Sequence, residues 1–189
     1  MQWYINDSII TQPLYAQHAY SVGRSCDSAV SEAVNFIEKN TFRGSHVLAV
    51  SLDCSGAFDR ISFESARTAM KNKNFPKGAL ELYMDLLENR HISASLQGEH
   101  TKRKPVRGSP QGGVLSPLIW NIIMDSILST FEGTATKVVG YADDILLMVA
   151  GKDPGIIVDI MNRSLHLLFN PSKTCAIRFS QSKKNPSGK

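Results

Sequence analysis

Three aspartates stand where carboxylates could do chemistry together. Asp53 ends an alternating apolar segment, and Asp143-Asp144 interrupt a second apolar stretch, Val138 to Val149. An ionised pair inside a buried strand is costly, so the sequence predicts a tight hairpin with both carboxylates at its tip. If the two segments are neighbours in one sheet, the carboxylates converge although 143 − 53 = 90 positions separate them. Their mutual repulsion would raise at least one pKa, and divalent cations would remove the conflict.

Such a cluster predicts phosphoryl-transfer chemistry. Carboxylate oxygens favour magnesium, and two bridged ions can stabilise both the attacking and the leaving oxygen of an in-line displacement. The ordinary alternative holds for each motif taken alone, because an Asp-Asp pair is common in turns and one Asp after a strand is commoner still. Only their combination with further motifs favours a metal site.

A glycine-rich loop that runs into a helix is the next motif, Gly108-Ser109-Pro110-Gln111-Gly112-Gly113-Val114-Leu115-Ser116-Pro117. Glycines let a backbone approach a ligand closely, and a helix start offers free N–H donors. Gln111 would supply donors and acceptors for a base or sugar edge. The alternative is an ordinary loop with a helix cap at Ser116. Phe58, five residues after Asp53, could pack under a nucleotide sugar or could simply anchor the helix that follows.

The elements that must position these residues follow from periodicity and capping. The strand from His46 to Asp53 is the clearest, and helices are expected to start near Ser62 and at Pro76. Further helices are predicted over residues 27–39, 114–131 and 154–168, and further strands over 92–96 and 174–179. This order predicts an α+β fold, an antiparallel sheet with helices on one face.

Bulk properties exclude several classes of protein. The net charge of +4 and pI near 9.0 suit a polyanionic partner but carry little weight alone. The scattered cysteines argue against a structural zinc or a disulfide framework, and they fit a reducing compartment. No signal peptide or membrane span is predicted, so we expect a soluble, intracellular protein, nuclear if it acts on chromosomal targets. The cysteines are Cys26, Cys54 and Cys175.

Three motifs resemble successive palm motifs of reverse transcriptases: Ser51-Leu52-Asp53-Cys54-Ser55-Gly56-Ala57-Phe58-Asp59, the Gly108–Pro117 loop, and Tyr141-Ala142-Asp143-Asp144. Asn170-Pro171-Ser172-Lys173-Thr174 resembles the motif that follows, and Gln17-His18-Ala19-Tyr20 with Gly23-Arg24-Ser25 resembles the segment before the palm. The resemblance covers residues from about 10 to 180 in family order, in the style of non-LTR (LINE-type) retrotransposons.

The resemblance implies a role for each acidic residue. Asp53 and Asp143 would hold two Mg²⁺ ions, for which Mn²⁺ could substitute, and Asp144 would assist. The backbone carbonyl of Cys54 would also face a metal. Lys173 would approach the pyrophosphate leaving group as a proton donor; a solvated loop lysine is the alternative.

The resemblance also implies a nucleotide and template site. Phe58 would be the gate that disfavours a ribonucleotide 2′-hydroxyl, and Gln111 and Gly112 would line the pocket. Arg24 and Tyr141 complete this predicted set.

The implied architecture is a polymerase palm with partial fingers and no thumb. Residues 1–45 would be a partial fingers segment, residues 46–180 the palm with finger-adjacent elements at about 75–112, and residues 181–189 a disordered basic tail. The missing fingers and thumb would come from adjoining sequence. The segment between Asp144 and Lys173 is shorter than the family leads one to expect, and this would shift Lys173 relative to the site.

The implied function is RNA-directed DNA synthesis by the reverse transcriptase domain of a retrotransposon. A DNA primer 3′-hydroxyl would attack a dNTP along an RNA template, and no membrane partner is expected. The basic residues within 102–107 would contact phosphates; the alternative is a solvated loop. One alternative is a truncated, catalytically inactive remnant that only binds nucleic acid. An RNA-dependent RNA polymerase is disfavoured by Phe58 and Gln111, and a two-metal nuclease by the lack of its usual histidines and glutamates.

Overall fold

The computed structural model describes residues 15–54, 56–168 and 174–179. Its elements in chain order are α1 (Cys26–Phe42), β1 (His46–Asp53), α2 (Ala57–Arg60), α3 (Phe63–Asn72), α4 (Lys77–Glu88), β2 (Ile92–Leu96), β3 (Glu99–Arg103), α5 (Ser116–Leu128), a 3₁₀ turn (Ser129–Phe131), β4 (Thr136–Tyr141), β5 (Asp144–Gly151), α6 (Pro154–Leu168) and β6 (Thr174–Phe179).

The chain divides into two compact units. We call residues 16–54 and 127–189 the sheet unit, and residues 1–15 and 55–126 the helical unit. The domain boundaries predicted at residues 45 and 180 stay predictions, and the tail 181–189 lies outside the described residues. Within the described ranges, no helix has both the length and the apolar character needed to cross a membrane.

Helix starts follow from local capping. Ser25 precedes α1 with an extended backbone, and its side chain accepts a hydrogen bond from the Ser28 N–H while the Ser28 hydroxyl accepts from the Ser25 N–H. Ser62 caps α3 by accepting from the Ser65 N–H at 2.9 Å, which confirms the predicted start. The helix predicted from residue 114 begins later, at Ser116.

A four-stranded antiparallel sheet forms the centre of the sheet unit, in the order β4-β5-β1-β6. The β1–β5 register runs from His46 opposite Gly151 to Asp53 opposite Asp144. β6 pairs with the other edge of β1 and begins with Thr174 opposite Leu52. The predicted antiparallel sheet is therefore confirmed.

Helices cover both faces of this sheet, so the prediction that they lie on one face is wrong in that detail. α1 packs against one face, where Ala33 meets Val47 and Ala49. α6 packs against the other, where the Ser164 hydroxyl lies 2.7 Å from the Thr136 hydroxyl. The physical reason is that β1 buries apolar side chains of both parities, Val50 and Leu52 as well as Val47 and Ala49, so each face needs a cover.

The helical unit buries one face of α3 against α4. Leu80, Tyr83 and Leu87 of α4 are buried, and so are Ala66 and Met70 of α3. An antiparallel hairpin of β2 and β3 follows, and all ten of its strand residues are exposed.

Candidate active site

Strand pairing brings the three predicted aspartates to one end of the sheet. Asp53 is the last residue of β1 and lies directly opposite Asp144, the first residue of β5. Directly opposed residues share a face of an antiparallel sheet, with their Cβ atoms about 4.5–5.5 Å apart. Asp143 precedes Asp144 in the β4–β5 turn, and its carbonyl accepts a hydrogen bond from the Cys54 N–H at 3.2 Å. The metal-binding roles of these residues stay predictions.

The turn that carries Asp143 is tight and strained. Tyr141 pairs with Asp144, so only Ala142 and Asp143 form the loop. Ala142 has φ of 55°, a left-handed backbone at a position of hairpin turns that usually holds glycine. An L-residue in this conformation costs about 1–2 kcal/mol. Other contacts must therefore hold the turn in this shape.

The electrostatics of this corner are those of crowded negative charge. Burial, then the charges of Asp143 and Asp53, raise the pKa of Asp144 above its ordinary value. Burial, then the charges of all three aspartates, raise the pKa of the Cys54 thiol to about 11. Both raised pKa values indicate that a further negative charge is unfavourable at this corner. A bound cation would be stabilised there by the same negative charges.

The donor chemistry suits divalent metal ions, although no ligand set is fully converged. Among residues 15–54, 56–168 and 174–179, no group of three or more His, Cys, Asp and Glu side chains has the spacing to hold a metal ion. Asp53 and Asp144 are exposed, and Asp143 is half-buried. Carboxylate and carbonyl oxygens are the ligands that Mg²⁺ and Mn²⁺ prefer.

Sequence reasoning missed the contacts of Gln17, which lies wholly buried under this turn. Its side-chain Nε2 donates to the Ala142 carbonyl at 3.1 Å, and its Oε1 accepts from the Ala142 N–H at 3.1 Å. The same oxygen accepts from the Ala19 N–H at 3.1 Å. The one available signal was that Gln17 stands in a motif upstream of the palm.

Arg24 and Tyr141, both predicted to contact nucleotide or template, differ in their surroundings. Arg24 is half-buried, and its Nη1 donates to the Gln17 carbonyl at 2.6 Å, so one of its nitrogens supports the fold. Tyr141 is 38% exposed at the end of β4, beside Asp144. Their predicted binding roles stay predictions.

A buried polar network ties the segment around Gln17 to α1. The His18 ring bonds the Ser28 hydroxyl at 2.7 Å and the Glu32 carboxylate at 2.9 Å, and Glu32 also pairs with Lys137 of β4. Burial alone would raise the pKa of Glu32, but the hydrogen bonds and charges of Lys137 and His18 outweigh it and lower that pKa. The segment is therefore fixed to both a helix and a strand.

In the helical unit, backbone bonds hold the start of the glycine-rich loop. The Gly108 N–H donates to the Ile61 carbonyl and the Ser109 N–H to the Phe58 carbonyl, both at 2.7 Å. Gly108 has φ of +89°, and a Cβ there would lie 3.0 Å from the Asp59 carbonyl oxygen. Glycine is therefore required at this position by both conformation and space.

Hydroxyl groups hold the rest of that loop. The Tyr83 hydroxyl lies 3.0 Å from the Ser109 hydroxyl, which donates to the Ser116 hydroxyl at 2.8 Å. The Ser116 hydroxyl in turn donates to the Pro110 carbonyl at 2.7 Å. The loop is thus an ordered part of this unit.

The remaining predicted residues are partly accessible. Gln111 and Gly112 are exposed, with the Gln111 Nε2 3.5 Å from an Asp59 carboxylate oxygen. Phe58 is half-buried, and its ring centroid lies 5.7 Å from that of Trp120 at an angle of 39°, a contact that suits the anchoring alternative. Lys173 lies outside the described residues.

Comparisons with known proteins agree with the motifs. A family model for "Reverse transcriptase (RNA-dependent DNA polymerase)" matches residues 4–186. The retrovirus-related Pol polyprotein of the type-1 retrotransposable element R1 from Bradysia coprophila is 22% identical over 167 residues, 88% of this chain and 16% of that protein. The Pol polyprotein of the type-2 element R2DM from Drosophila melanogaster is 28% identical over 152 residues, 76% of this chain and 14% of that protein. The chain therefore spans less than a fifth of these curated relatives.

Solved structures show the fold. An apo telomerase from Candida Tropicalis superimposes with a TM-score of 0.68 at 12% identity, over 90% of this chain and 37% of that one. Telomerase from Candida albicans, solved with a fragment of telomeric RNA, gives 0.67 at 15% identity, over 92% of this chain and 33% of that one. The fold is thus of the polymerase palm type.

Reverse transcriptases generally use divalent metal ions and copy RNA. The family model covers nearly the whole chain, and the resemblance drawn from the motifs to non-LTR elements is confirmed. The chain belongs to the reverse transcriptase (RNA-dependent DNA polymerase) family.

Proposed function

We propose that this chain carries the catalytic palm of a retrotransposon reverse transcriptase and performs RNA-directed DNA synthesis. The observation that supports this most is the register that sets Asp53 opposite Asp144, beside Asp143. Family membership alone allows an inactive chain, whereas this register supports the proposal because it brings the three acidic residues to one end of the sheet.

In the proposed mechanism the protein holds oxygen ligands in place for metal ions. Asp53 and Asp143, with the Cys54 carbonyl, would hold two Mg²⁺ ions, or Mn²⁺ as a substitute, and Asp144 would assist. Bound ions supply charge neutralisation and a more acidic primer 3′-hydroxyl. The primer 3′-hydroxyl would lose its proton to solvent as its oxygen attacks the α-phosphorus of the dNTP. The bond from that phosphorus to the bridging oxygen would break, and pyrophosphate would leave with Lys173 as its proton donor.

Recognition of the substrates is assigned to residues outside the carboxylate cluster. Phe58 would exclude the 2′-hydroxyl of a ribonucleotide, and Gln111 and Gly112 would line the pocket for template and incoming nucleotide. Arg24 and Tyr141 would contact template or nucleotide. These roles rest on the motifs in which the residues stand, and the exposure of Gln111 and Gly112 is consistent with them.

The chain's excess positive charge supports phosphate contacts by the β2–β3 hairpin. Residues 90–107 hold five Lys and Arg against one Glu, so 5 − 1 = +4, which equals the net charge of the whole chain. Arg90 is already used, because its Nη2 donates to the Gly108 carbonyl at 2.8 Å. Lys102 and Arg103 are exposed and would meet the phosphates of the template–primer.

The test is primer extension by the full chain on an RNA template annealed to a DNA primer, with Mg²⁺ and dNTPs. We expect extension by the wild type, none by Asp143→Asn, and normal extension by Asp159→Asn, which removes an exposed aspartate from α6. Equal extension by wild type and Asp143→Asn would refute the metal role. Binding without extension by the wild type would favour the inactive remnant. Incorporation of ribonucleotides in preference to deoxynucleotides would favour an RNA polymerase.

A further inference from the structure

We propose that Gln17 is a positioning residue that clamps the catalytic turn, so that Asp143 and Asp144 can converge on metal ions. The inference rests on the proposed function, because it concerns the same carboxylates. It adds a residue that stands in another segment, 125 positions before the turn it holds.

The clamp consists of hydrogen bonds between the side-chain amide of Gln17 and the backbone N–H and C=O of Ala142. The Gln17 amide both donates to the Ala142 carbonyl and accepts from the Ala142 N–H, and its oxygen accepts from the Ala19 N–H as well. Only one orientation of the amide group satisfies all three contacts. Gln17 is 0% exposed, so bulk water does not compete for these bonds in the folded chain.

Backbone strain gathers around the clamp. The described residues include five non-glycine residues with φ in the left-handed region, and three of them are Ala16, Tyr20 and Ala142. Ala16 and Tyr20 flank the Gln17 segment, and Ala142 is the residue that Gln17 holds. Strained backbone persists only where surrounding contacts impose it, and it gathers at functional sites.

Backbone bonds from β4 also hold the Gln17 segment beside the turn. Gly140 exchanges backbone bonds with this segment, since its N–H donates to the Ala16 carbonyl at 2.7 Å and its carbonyl accepts from the His18 N–H at 2.8 Å. A Cβ at Gly140 would lie 2.9 Å from Leu128 Cδ1 and 3.6 Å from Gln17 Nε2. A side chain at this position would therefore press on Leu128, while the two backbone bonds hold the Gln17 segment beside the strand that leads into the turn.

These contacts set the backbone on which the acidic side chains stand. Asp143 and Asp144 follow Ala142 directly, so rotation of the Ala142 peptide units would re-aim both carboxylates. Residues that orient metal ligands from behind typically change metal affinity about 10–100-fold when replaced. Loss of the clamp is therefore expected to weaken metal binding more than it weakens the fold.

The experiment compares Gln17→Met with two other variants of the full chain. Methionine keeps the length and volume of the side chain and removes all three hydrogen bonds. Thr136→Val is the matched control, since it removes one hydroxyl of the buried Thr136–Ser164 pair in the same unit without touching the turn. Asp143→Asn removes a predicted ligand. The readouts are Mn²⁺ affinity by electron paramagnetic resonance, hydrogen exchange of the Ala142 amide by NMR, and thermal unfolding.

We expect Gln17→Met to expose the Ala142 amide to exchange and to weaken Mn²⁺ binding about 10-fold or more. Thr136→Val should lower the unfolding temperature comparably but leave both other readouts unchanged. Unchanged Mn²⁺ affinity in folded Gln17→Met, with weakened binding in Asp143→Asn, would overturn the clamp alone. Equal weakening by Thr136→Val would also overturn it. Unchanged binding in Asp143→Asn would overturn the metal site itself, and the clamp with it.

If Gln17→Met does not fold, Gln17→Asn carries the same expectations. Its amide is one methylene shorter, so it keeps the polarity of the side chain and cannot reach both Ala142 groups. Wild-type Mn²⁺ affinity and a protected Ala142 amide in Gln17→Asn would refute the proposal.

Discussion

Replacing Asp144 by asparagine should stabilise the protein when metal ions are absent. Asp144 faces Asp53 across the strand pair and follows Asp143, and burial, then the charges of Asp143 and Asp53, raise its pKa. Two unit charges about 6 Å apart in a water-like medium repel by about 0.7 kcal/mol, so two neighbours contribute about 1.4 kcal/mol. For a chain of this size that corresponds to a rise in unfolding temperature of about 3–5 °C. Asp144→Asn keeps the shape of the side chain and removes the charge.

The assay is thermal unfolding in low salt with EDTA, repeated with Mg²⁺. In Mg²⁺ at ten times its dissociation constant the wild type gains about 1.4 kcal/mol, which cancels the advantage of the variant. Asp159→Asn, on exposed α6 surface, should change the unfolding free energy by less than about 0.5 kcal/mol under either condition. An Asp144→Asn variant no more stable than wild type in EDTA would show that the carboxylates do not repel, and would refute this reasoning.

The same argument fixes the direction of the pH dependence. Asp144 has a folded-state pKa above its ordinary value of 3.8, so its ionised form destabilises the folded protein. The advantage of Asp144→Asn should be complete above the raised pKa and should disappear as the pH falls through it to below 3.8. An advantage that instead grew towards acidic pH would contradict the assignment.

Three further outcomes are expected. Gly108→Ala should lower the free energy of unfolding by about 2–3 kcal/mol in urea, because the new Cβ meets a backbone carbonyl. Gly112→Ala should lower it by only about 1–2 kcal/mol, the cost of the left-handed backbone, because no atom lies within 4 Å of its Cβ. With a pKa of about 11, Cys54 should be about 0.1% thiolate at pH 8. Mass spectrometry should therefore show iodoacetamide labelling of exposed Cys26 before Cys54, and faster labelling of Cys54 would contradict this. Lys102→Gln should lower the slope of log affinity for template–primer against log salt by about 0.9, and an unchanged slope would exclude a phosphate contact.

The sequence predicted those parts of the fold that have local causes. Ser62 predicts the start of α3, because its hydroxyl accepts a hydrogen bond from an N–H that has no partner within the helix. The apolar flanks of Asp143-Asp144 predicted a hairpin because burial of two charges within a strand is unfavourable. The start of β1 and its end at Asp53 followed from alternation.

Features that depend on pairing between distant segments could not be predicted in the same way. Nothing near Asp53 in the sequence specifies that Asp144 is its partner, since the register is set by the whole apolar set of β1 and β5. The second helical cover was missed for a related reason. Helices were expected on one face of the sheet, although Val47 and Leu52, which point to opposite faces of β1, are both buried.

The contact between Gln17 and Ala142 shows the limit most clearly. A glutamine has no local preference that marks it as buried, and on average it is an exposed residue. Its burial is tolerable because the strained turn presents the Ala142 N–H and C=O to its amide group, and that turn exists only once β4 and β5 have paired. Like charges and left-handed backbone both weaken the fold at this corner, so the buried strands must stabilise it. It follows that substitutions at the corner should change metal binding and turnover first, whereas substitutions at buried positions such as Val47 should change stability first.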